Sequence, residues 1–238
     1  MREITYAQAG IEALSEEMRR DNKVFHLSTD PPGPLLKEFG EARIRATPIA
    51  ESALTGMAIG AAGSGYRPIV DWRQVTFAFV AMDQIVNQAA KIHYMFGGQT
   101  TFPILYRAGV GGGGRIAAQH SQSPYSMFMN MAGLKIILAS TPRDVKGLLK
   151  SAIRDDNPVI SFESNRLGGM KGPVPDADDD ETIPIGKADI KREGRDITIV
   201  ALAWQVHEAL AAAETLDREG VSAEVLDPRT LVPMDVDA

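Results

Sequence analysis

The sequence predicts an α/β fold, a mostly parallel doubly wound sheet followed by the start of a second α/β unit. Three observations carry that expectation. Strand-like and helix-like runs alternate along most of the chain, the order that gives parallel strands with helices on both faces. At 238 residues and 44% hydrophobic content the chain can bury a real core and holds one or two domains. Between Gly168 and Glu193 the composition shifts to Gly-Gly, Pro173, Pro175 and the acidic run Asp176 to Glu181, which reads as a linker with a solvated acidic loop.

Each element follows from its own residues. Tyr6 to Arg20 has the spacing of an amphipathic helix, Val24 to Ser28 reads as a short strand, and Pro31-Pro32-Gly33-Pro34 reads as a stiff turn. Arg43 to Ile49 alternates and carries β-branched residues, so it reads as a strand that Pro48 and Ile49 end. From Ser52 onward apolar residues recur at helical spacing. Gly56 and Gly60 lower helix propensity there, a loss that only a close-packed neighbour would justify, so this helix is expected to be buried. Strands are then expected at Tyr66–Asp71, Pro103–Ala108, Lys135–Ala139 and Pro158–Glu163. The helices between them are a long one over Phe77–Tyr94, then Pro124–Met131 and Pro142–Arg154. After the linker come a strand at Ile197–Leu202, a helix at Val206–Arg218 and a strand at Ala223–Leu226. Two strands and one helix cannot cover both faces of a sheet, so residues 189–238 are expected to be the first part of a larger domain. The expected division is therefore 1–167, a linker at 168–188, and 189–238.

Composition excludes several function classes. A net charge of −6 leaves no basic stripe for phosphate neutralisation. No apolar run spans a bilayer, and Met1-Arg2-Glu3-Ile4 opens no secretion signal, so a cytoplasmic address is expected. Zero cysteines exclude a disulfide framework and thiolate chemistry, and His26, His93, His120 and His207 are scattered singly.

The most informative stretch runs from Thr47 to Ala61, because it places Glu51 at an apolar strand-to-helix junction. A helix N-terminus favours an ionised acid and burial favours a protonated one, so a carboxylate there can share a proton with a ligand nitrogen. An ordinary first-turn helix acid is the alternative. The run Gly109-Val110-Gly111-Gly112-Gly113-Gly114 follows a strand and matches G-x-G-x-x-G literally, but no acidic residue closes the next strand, as a dinucleotide site requires. It reads better as a loop delivering Gln119-His120-Ser121-Gln122 to a site. His120, among polar neighbours, suits proton transfer near neutral pH, or is a histidine satisfied by backbone carbonyls. Phe77 alone reads as a core aromatic and His207 as structural. Ser121 and Ser123 lack a hydrolase triad and no G-x-S-x-G occurs.

Taken together, the segments Ile4-Thr5-Tyr6, Thr47-Pro48-Ile49-Ala50-Glu51, Ala81 to Lys91, Ala118-Gln119-His120-Ser121-Gln122, Lys146 to Asp155, Asn157-Pro158 and Leu226 to Leu231 occur in an order with a clear parallel. The chain resembles the beta subunit of the thiamine-diphosphate-dependent decarboxylating component of 2-oxo acid dehydrogenases, including pyruvate, branched-chain and acetoin members, within the transketolase-like family. The resemblance implies a pyrimidine-binding-type domain followed by a transketolase C-terminal-type domain. It implies oxidative decarboxylation or cleavage with acyl transfer to a lipoyl group. It assigns Glu51 to the aminopyrimidine N1′, Phe77 to packing on the pyrimidine, Arg73 to a position near that ring and His120 to acyl transfer. It also points to a potassium site made by backbone carbonyls of Ile104, Ala152, Asp155 and Asn157 in some relatives. No Gly-Asp-Gly occurs, so the diphosphate and magnesium would be held mainly by an alpha subunit in a heterotetramer of two alpha and two beta chains, with a lipoyl-bearing acyltransferase as a further partner.

Two departures stand out. Thr29 replaces an acid of the family's active-site network, in a shorter loop at Ser28-Thr29-Asp30-Pro31-Pro32. Arg73 stands where Met or Gln is common, and would either read an anionic substituent on the substrate or pair with Asp71. The alternatives are a transketolase-like or non-oxidative decarboxylating half-enzyme and a non-catalytic scaffold paralogue.

Overall fold

The computed structural model describes residues 1–113, 116–176 and 179–238. Strand β1 (Arg2–Thr5) leads into helix α1 (Tyr6–Arg20), whose start is fixed by a capping box: Thr5 Oγ1 accepts from the Gln8 backbone N–H, and Gln8 accepts from that of Thr5. β2 (Val24–Ser28) follows, then α2 (Gly33–Phe39), β3 (Ile44–Ala46), α3 (Glu51–Gly63) and β4 (Arg67–Gln74). Beyond them lie α4 (Ile92–Met95), β5 (Leu105–Val110), α5 (Tyr125–Met129), β6 (Lys135–Ile137), α6 (Pro142–Arg154), β7 (Val159–Ser164) and β8 (Lys171–Val174). The chain continues through β9 (Asp189–Arg192), β10 (Ile197–Val200), α7 (Trp204–Arg218), β11 (Ala223–Asp227) and β12 (Thr230–Val232).

The central sheet has seven strands in the order β12-β6-β7-β5-β4-β2-β3, every pair parallel except β12 with β6. Asp71 of β4 stands beside Arg107 of β5, so their neighbour Trp72 points to the opposite face. Helices α1 and α6 cover the Arg107 face: a side chain at Gly10 would lie 3.5 Å from the Arg107 guanidinium and 3.6 Å from Leu149. Helix α3 covers the Trp72 face, where Trp72 Nε1 donates to Thr55 Oγ1 at 3.0 Å and the indole stacks on Tyr106. α1 and α6 are joined by a charged ladder in which the buried Lys146 and Lys150 meet Glu12 and Glu16, and Arg154 meets Glu17.

Several expectations need correction. Pro31 to Pro34 does not merely turn; it opens α2, with proline in the first turn where its missing N–H costs nothing. The strand expected over Arg43–Ile49 is only three residues long. α3 is buried along one stripe, Glu51, Leu54, Thr55, Ala58, Ile59 and Ala62, rather than all round. Gly56 packs against Gln84, but Gly60 faces open space. The single helix expected over Phe77–Tyr94 is a 3₁₀ turn at Val75–Ala81, a π-type turn at Gln84–Ala89 and the short α4. The segment after Gly168 carries β8, paired antiparallel with β1. The acidic run is not wholly solvated: Asp180 pairs with Lys150 and Arg154, and Glu181 with Arg143.

Beyond residue 188, β10, β11 and β9 form a second, three-stranded sheet against α7, with its own small core at Ala201, Val206, Ala209, Ala213, Ala223 and Val225. β12 then crosses back to the central sheet. His207 Nε2 lies 2.8 Å from the Ser140 carbonyl and the Ser140 hydroxyl donates to Asp227, so polar contacts tie the second unit to the first.

Candidate functional site

The site forms at the carboxyl ends of the parallel strands, where loops of an open α/β sheet converge. Glu51 is the first residue of α3 and sits on the helix's inner stripe, 9% exposed. Its carboxylate receives no side-chain hydrogen bond from the described residues. The adjoining Ser52 hydroxyl donates to the Val80 carbonyl at 2.6 Å, which holds the start of α3 against the 3₁₀ turn that carries Phe77. Phe77 is half-buried and meets the His120 ring edge-on, with centroids 5.1 Å apart and planes at 81°. Residues distant in sequence, Phe77 and His120, are thus brought into contact, with Glu51 on the helix packed beside them.

The glycine loop makes that approach feasible. The Gly111 N–H donates to the Gln122 carbonyl at 2.9 Å and Asn165 Nδ2 donates to the Gly111 carbonyl at 3.1 Å, closing the base of the loop. A side chain at Gly109 would meet Asn165 Oδ1 at 2.7 Å and the Arg73 carbonyl at 2.9 Å, so only glycine lets these backbones come together. Gly114, the last glycine of the literal G-x-G-x-x-G, lies outside the described residues. Among the described residues no α-helix begins directly behind the glycines; a single 3₁₀ turn at Ala118–His120 follows. The dinucleotide reading therefore lacks its phosphate-binding helix.

Arg73, the penultimate residue of β4, lies in the left-handed region, at φ 67°, where the register between β4 and β5 shifts. Its guanidinium reaches Asp30 at 3.2 Å rather than Asp71, whose carboxylate accepts the Arg73 backbone N–H at 2.7 Å. Of the two alternatives for Arg73, a side-chain pair with Asp71 is not formed; the partner is Asp30. Thr29 is half-buried beside that aspartate.

A cleft of about 530 Å³ opens here, lined by Tyr6, Asp30, Asp71, Arg73, Gln74, Arg107, Glu163 and Asn165 among others. At its floor Arg107 donates twice to Glu163, both bonds 2.7 Å, and that carboxylate holds the guanidinium well above its ordinary range despite burial. Sequence reasoning missed Asp30, Arg107 and Glu163. A signal for the last two was present, since each is a charge inside a strand that also carries buried apolar residues.

The four carbonyl residues of the expected potassium site gather around the C-terminus of α6 and the starts of β5 and β7. Two of the four carbonyls already have donors: Ile104 accepts from the Val159 N–H at 2.9 Å, and Asp155 from Arg67 Nη1 at 3.0 Å. Arg67 also donates to the Ile153 carbonyl at 3.1 Å and pairs with Asp156 at 2.6 Å. Each carbonyl keeps a second lone pair, and no bond to the Ala152 or Asn157 carbonyl is made among the described residues.

Comparisons with known proteins bear on the fold and the family. Residues 2–170 match the family model "Transketolase, pyrimidine binding domain", and residues 186–238 match "Transketolase, C-terminal domain". The 2-oxoisovalerate dehydrogenase subunit beta of Bacillus subtilis (strain 168) is 46% identical across 99% of this chain and 74% of its own length. The acetoin:2,6-dichlorophenolindophenol oxidoreductase subunit beta of the same organism is 44% identical across 100% of this chain and 75% of its own. The pyruvate dehydrogenase E1 component subunit beta of Rickettsia felis is 43% identical across 99% and 74%. Among solved structures, a split-gene transketolase described as an inactive beta4 tetramer superposes with a TM-score of 0.79 at 26% identity, covering 98% of this chain and 74% of that one. A transketolase mutant from Pichia stipitis shares the fold, with a TM-score of 0.76 at 17% identity over 100% and 36%. Among the described residues, no helix is long and apolar enough to cross a membrane.

Proposed function

Because the chain belongs to the transketolase-like family of beta subunits of thiamine-diphosphate-dependent 2-oxo acid and acetoin dehydrogenases, we propose that its Glu51, Phe77 and His120 form one half of an active site completed by an alpha subunit. The observation that carries this reading is the Glu51 carboxylate: nearly buried, at a helix N-terminus, with no hydrogen-bond donor from the described side chains. At the N-terminus of α3 and with no side-chain donor among the described residues, that carboxylate is open to a ligand nitrogen. Thiamine diphosphate, when bound, supplies the electron sink for the bond broken beside the 2-oxo carbon.

The chain's own residues do the rest. Glu51 shares a proton with the aminopyrimidine ring nitrogen, and its fixed place on α3 sets that ring's orientation. Phe77 gives the ring an apolar platform. His120, anchored edge-on to Phe77, moves a proton during acyl transfer to a lipoyl group on an acyltransferase partner. The apolar stripe of α3 and the 3₁₀ turn keep water from the proton shared at Glu51. The magnesium ion and the diphosphate are assigned mainly to the alpha subunit, in an assembly of two alpha and two beta chains in the cytoplasm. The two-domain division at 1–167, 168–188 and 189–238 is retained in this reading.

Calorimetry with thiamine diphosphate and magnesium tests it. Tight binding is expected only after co-expression with an alpha-type subunit; equal binding by the beta chain alone, or none by the mixture, would refute the shared site. Potassium is assigned to the α6 carbonyls as a structural ion. Melting temperature in potassium chloride should then exceed that in sodium chloride, since an ion bound only by the folded state stabilises it. Identical melting in both salts would leave Arg67 as the cation of that corner.

A further inference from the structure

The cleft at the carboxyl ends of β4, β5 and β7 is lined by five charged side chains, Asp30, Asp71, Arg73, Arg107 and Glu163, and they differ in how firmly each is held. Arg107 and Glu163 satisfy each other through two bonds of 2.7 Å at the cleft floor. Asp71 Oδ1 accepts the Arg73 backbone N–H, and its charge acts on the neighbouring Arg107. The Arg73 guanidinium, by contrast, is 47% exposed and held only by Asp30, whose side chain is 74% exposed, at 3.2 Å. An exposed pair of this kind contributes little, so exchanging Asp30 for another carboxylate costs little. Asp30 itself belongs to a short loop, and its backbone N–H donates to the Ser28 hydroxyl at 3.2 Å, leaving the side chain at the cleft mouth.

The placement of Arg73 is costly. It stands at φ 67°, a conformation that L side chains rarely adopt, at the point where β4 breaks register with β5. Strain at a position of this kind is retained where the geometry is used. The break aims the guanidinium into the cleft while the Arg73 carbonyl lies against Gly109, the base of the loop that carries His120. Arg73 therefore links the cleft to the loop that reaches Phe77 and His120.

We propose that this cleft receives the distal end of the substrate and that Arg73 binds a second anionic group there, so the substrate class is a small dicarboxylic 2-oxo acid rather than a simple aliphatic one. Asp30 is the internal stand-in: its carboxylate occupies the place that the substrate's distal carboxylate takes, and swings to solvent when displaced. The guanidinium fork suits a planar carboxylate with two donors. This inference rests on the cofactor site proposed above.

The test uses a matched pair of probes, 2-oxoglutarate and 2-oxopentanoate, which differ only in the distal carboxylate. In the complex co-expressed with its alpha-type subunit, kcat/KM should favour 2-oxoglutarate by about 10-fold or more. Arg73→Met should cut that value about 10- to 100-fold, the size of a lost hydrogen bond to a charged group, and bring the ratio of the two probes' kcat/KM values to within about 3-fold of one. Asp30→Asn should tighten 2-oxoglutarate binding by removing the competitor. A preference for 2-oxopentanoate, or an equal loss for both probes in Arg73→Met, would overturn the inference while leaving the enzyme reading intact. Calorimetric binding of 2-oxoglutarate is read separately from turnover. If neither probe is turned over, Arg73-dependent binding still upholds the cleft assignment, and absence of binding overturns it.

Discussion

Glu163→Gln offers a quantitative test of the cleft floor. Arg107 and Glu163 are 10% and 18% exposed at the side chain and are joined by two bonds of 2.7 Å. Removing the negative charge strands a guanidinium that burial already penalises. Breaking a buried pair costs about 3–5 kcal/mol, and because the amide can still accept one of the two bonds, the lower end applies, about 3 kcal/mol. For a chain of this length each kcal/mol moves the melting temperature by about 2–4 °C, so a fall of about 6–12 °C is expected by circular dichroism. The double variant Arg107→Met/Glu163→Leu removes both charges and leaves unmade only the long 3.4 Å bond from the Ser161 hydroxyl. It should recover most of the loss. A single variant within about 1 kcal/mol of wild type, or a double variant as unstable as the single, would refute the view that the pair is held mainly by the cost of isolating either charge.

Other perturbations report on other parts of the fold. Burial raises the Asp227 carboxyl to about 6, above its unfolded range near ~4, so the folded state holds this proton more tightly and the group's contribution to stability falls as pH rises from about 4 to 6. Asp227→Asn should remove that decline, seen as a flatter plot of melting temperature against pH; an unchanged slope would show that the group does not titrate there. Glu12 behaves in the opposite sense. Against the cost of burial, hydrogen bonds from Arg2 and Lys146 lower it to about 2, so its contribution is present above its unfolded range and lost as pH falls through about 2, and Glu12→Gln should weaken the acid dependence of melting. Gly109→Ala places a methyl group within 3 Å of Asn165 Oδ1 and the Arg73 carbonyl; overpacking of that kind costs about 1–3 kcal/mol, and turnover should fall with it as the His120 loop is displaced.

The parallel sheet was legible because β2, β4, β5, β6 and β7 are compact β-branched or apolar runs separated by helix-length spacers. Glu51, Phe77 and His120 were legible only in part. Their residue types and local settings singled them out, but the contact between Phe77 and His120 depends on a loop whose path no local pattern fixes. The broken helix after β4 had a signal that a helical reading absorbs: Val75, Ala78 and Ala81 are all buried and recur every three residues, the period of a 3₁₀ turn. β1 and β8 were missed because each is four residues long and β8 contains Gly172 and Pro173, which read as loop; in an isolated two-stranded pair a proline can face away from its partner. Asp30 as the partner of Arg73 was not readable, since it requires knowing that β4 leaves register with β5.

The most direct test of the central claim is turnover of Glu51→Gln in the complex with its alpha-type subunit, with cofactor binding measured on the same preparation. The account predicts a loss of at least about 100-fold, as for removal of a positioned proton-transfer group, with thiamine diphosphate still bound and assembly and melting temperature unchanged. Turnover within about 3-fold of wild type would contradict it.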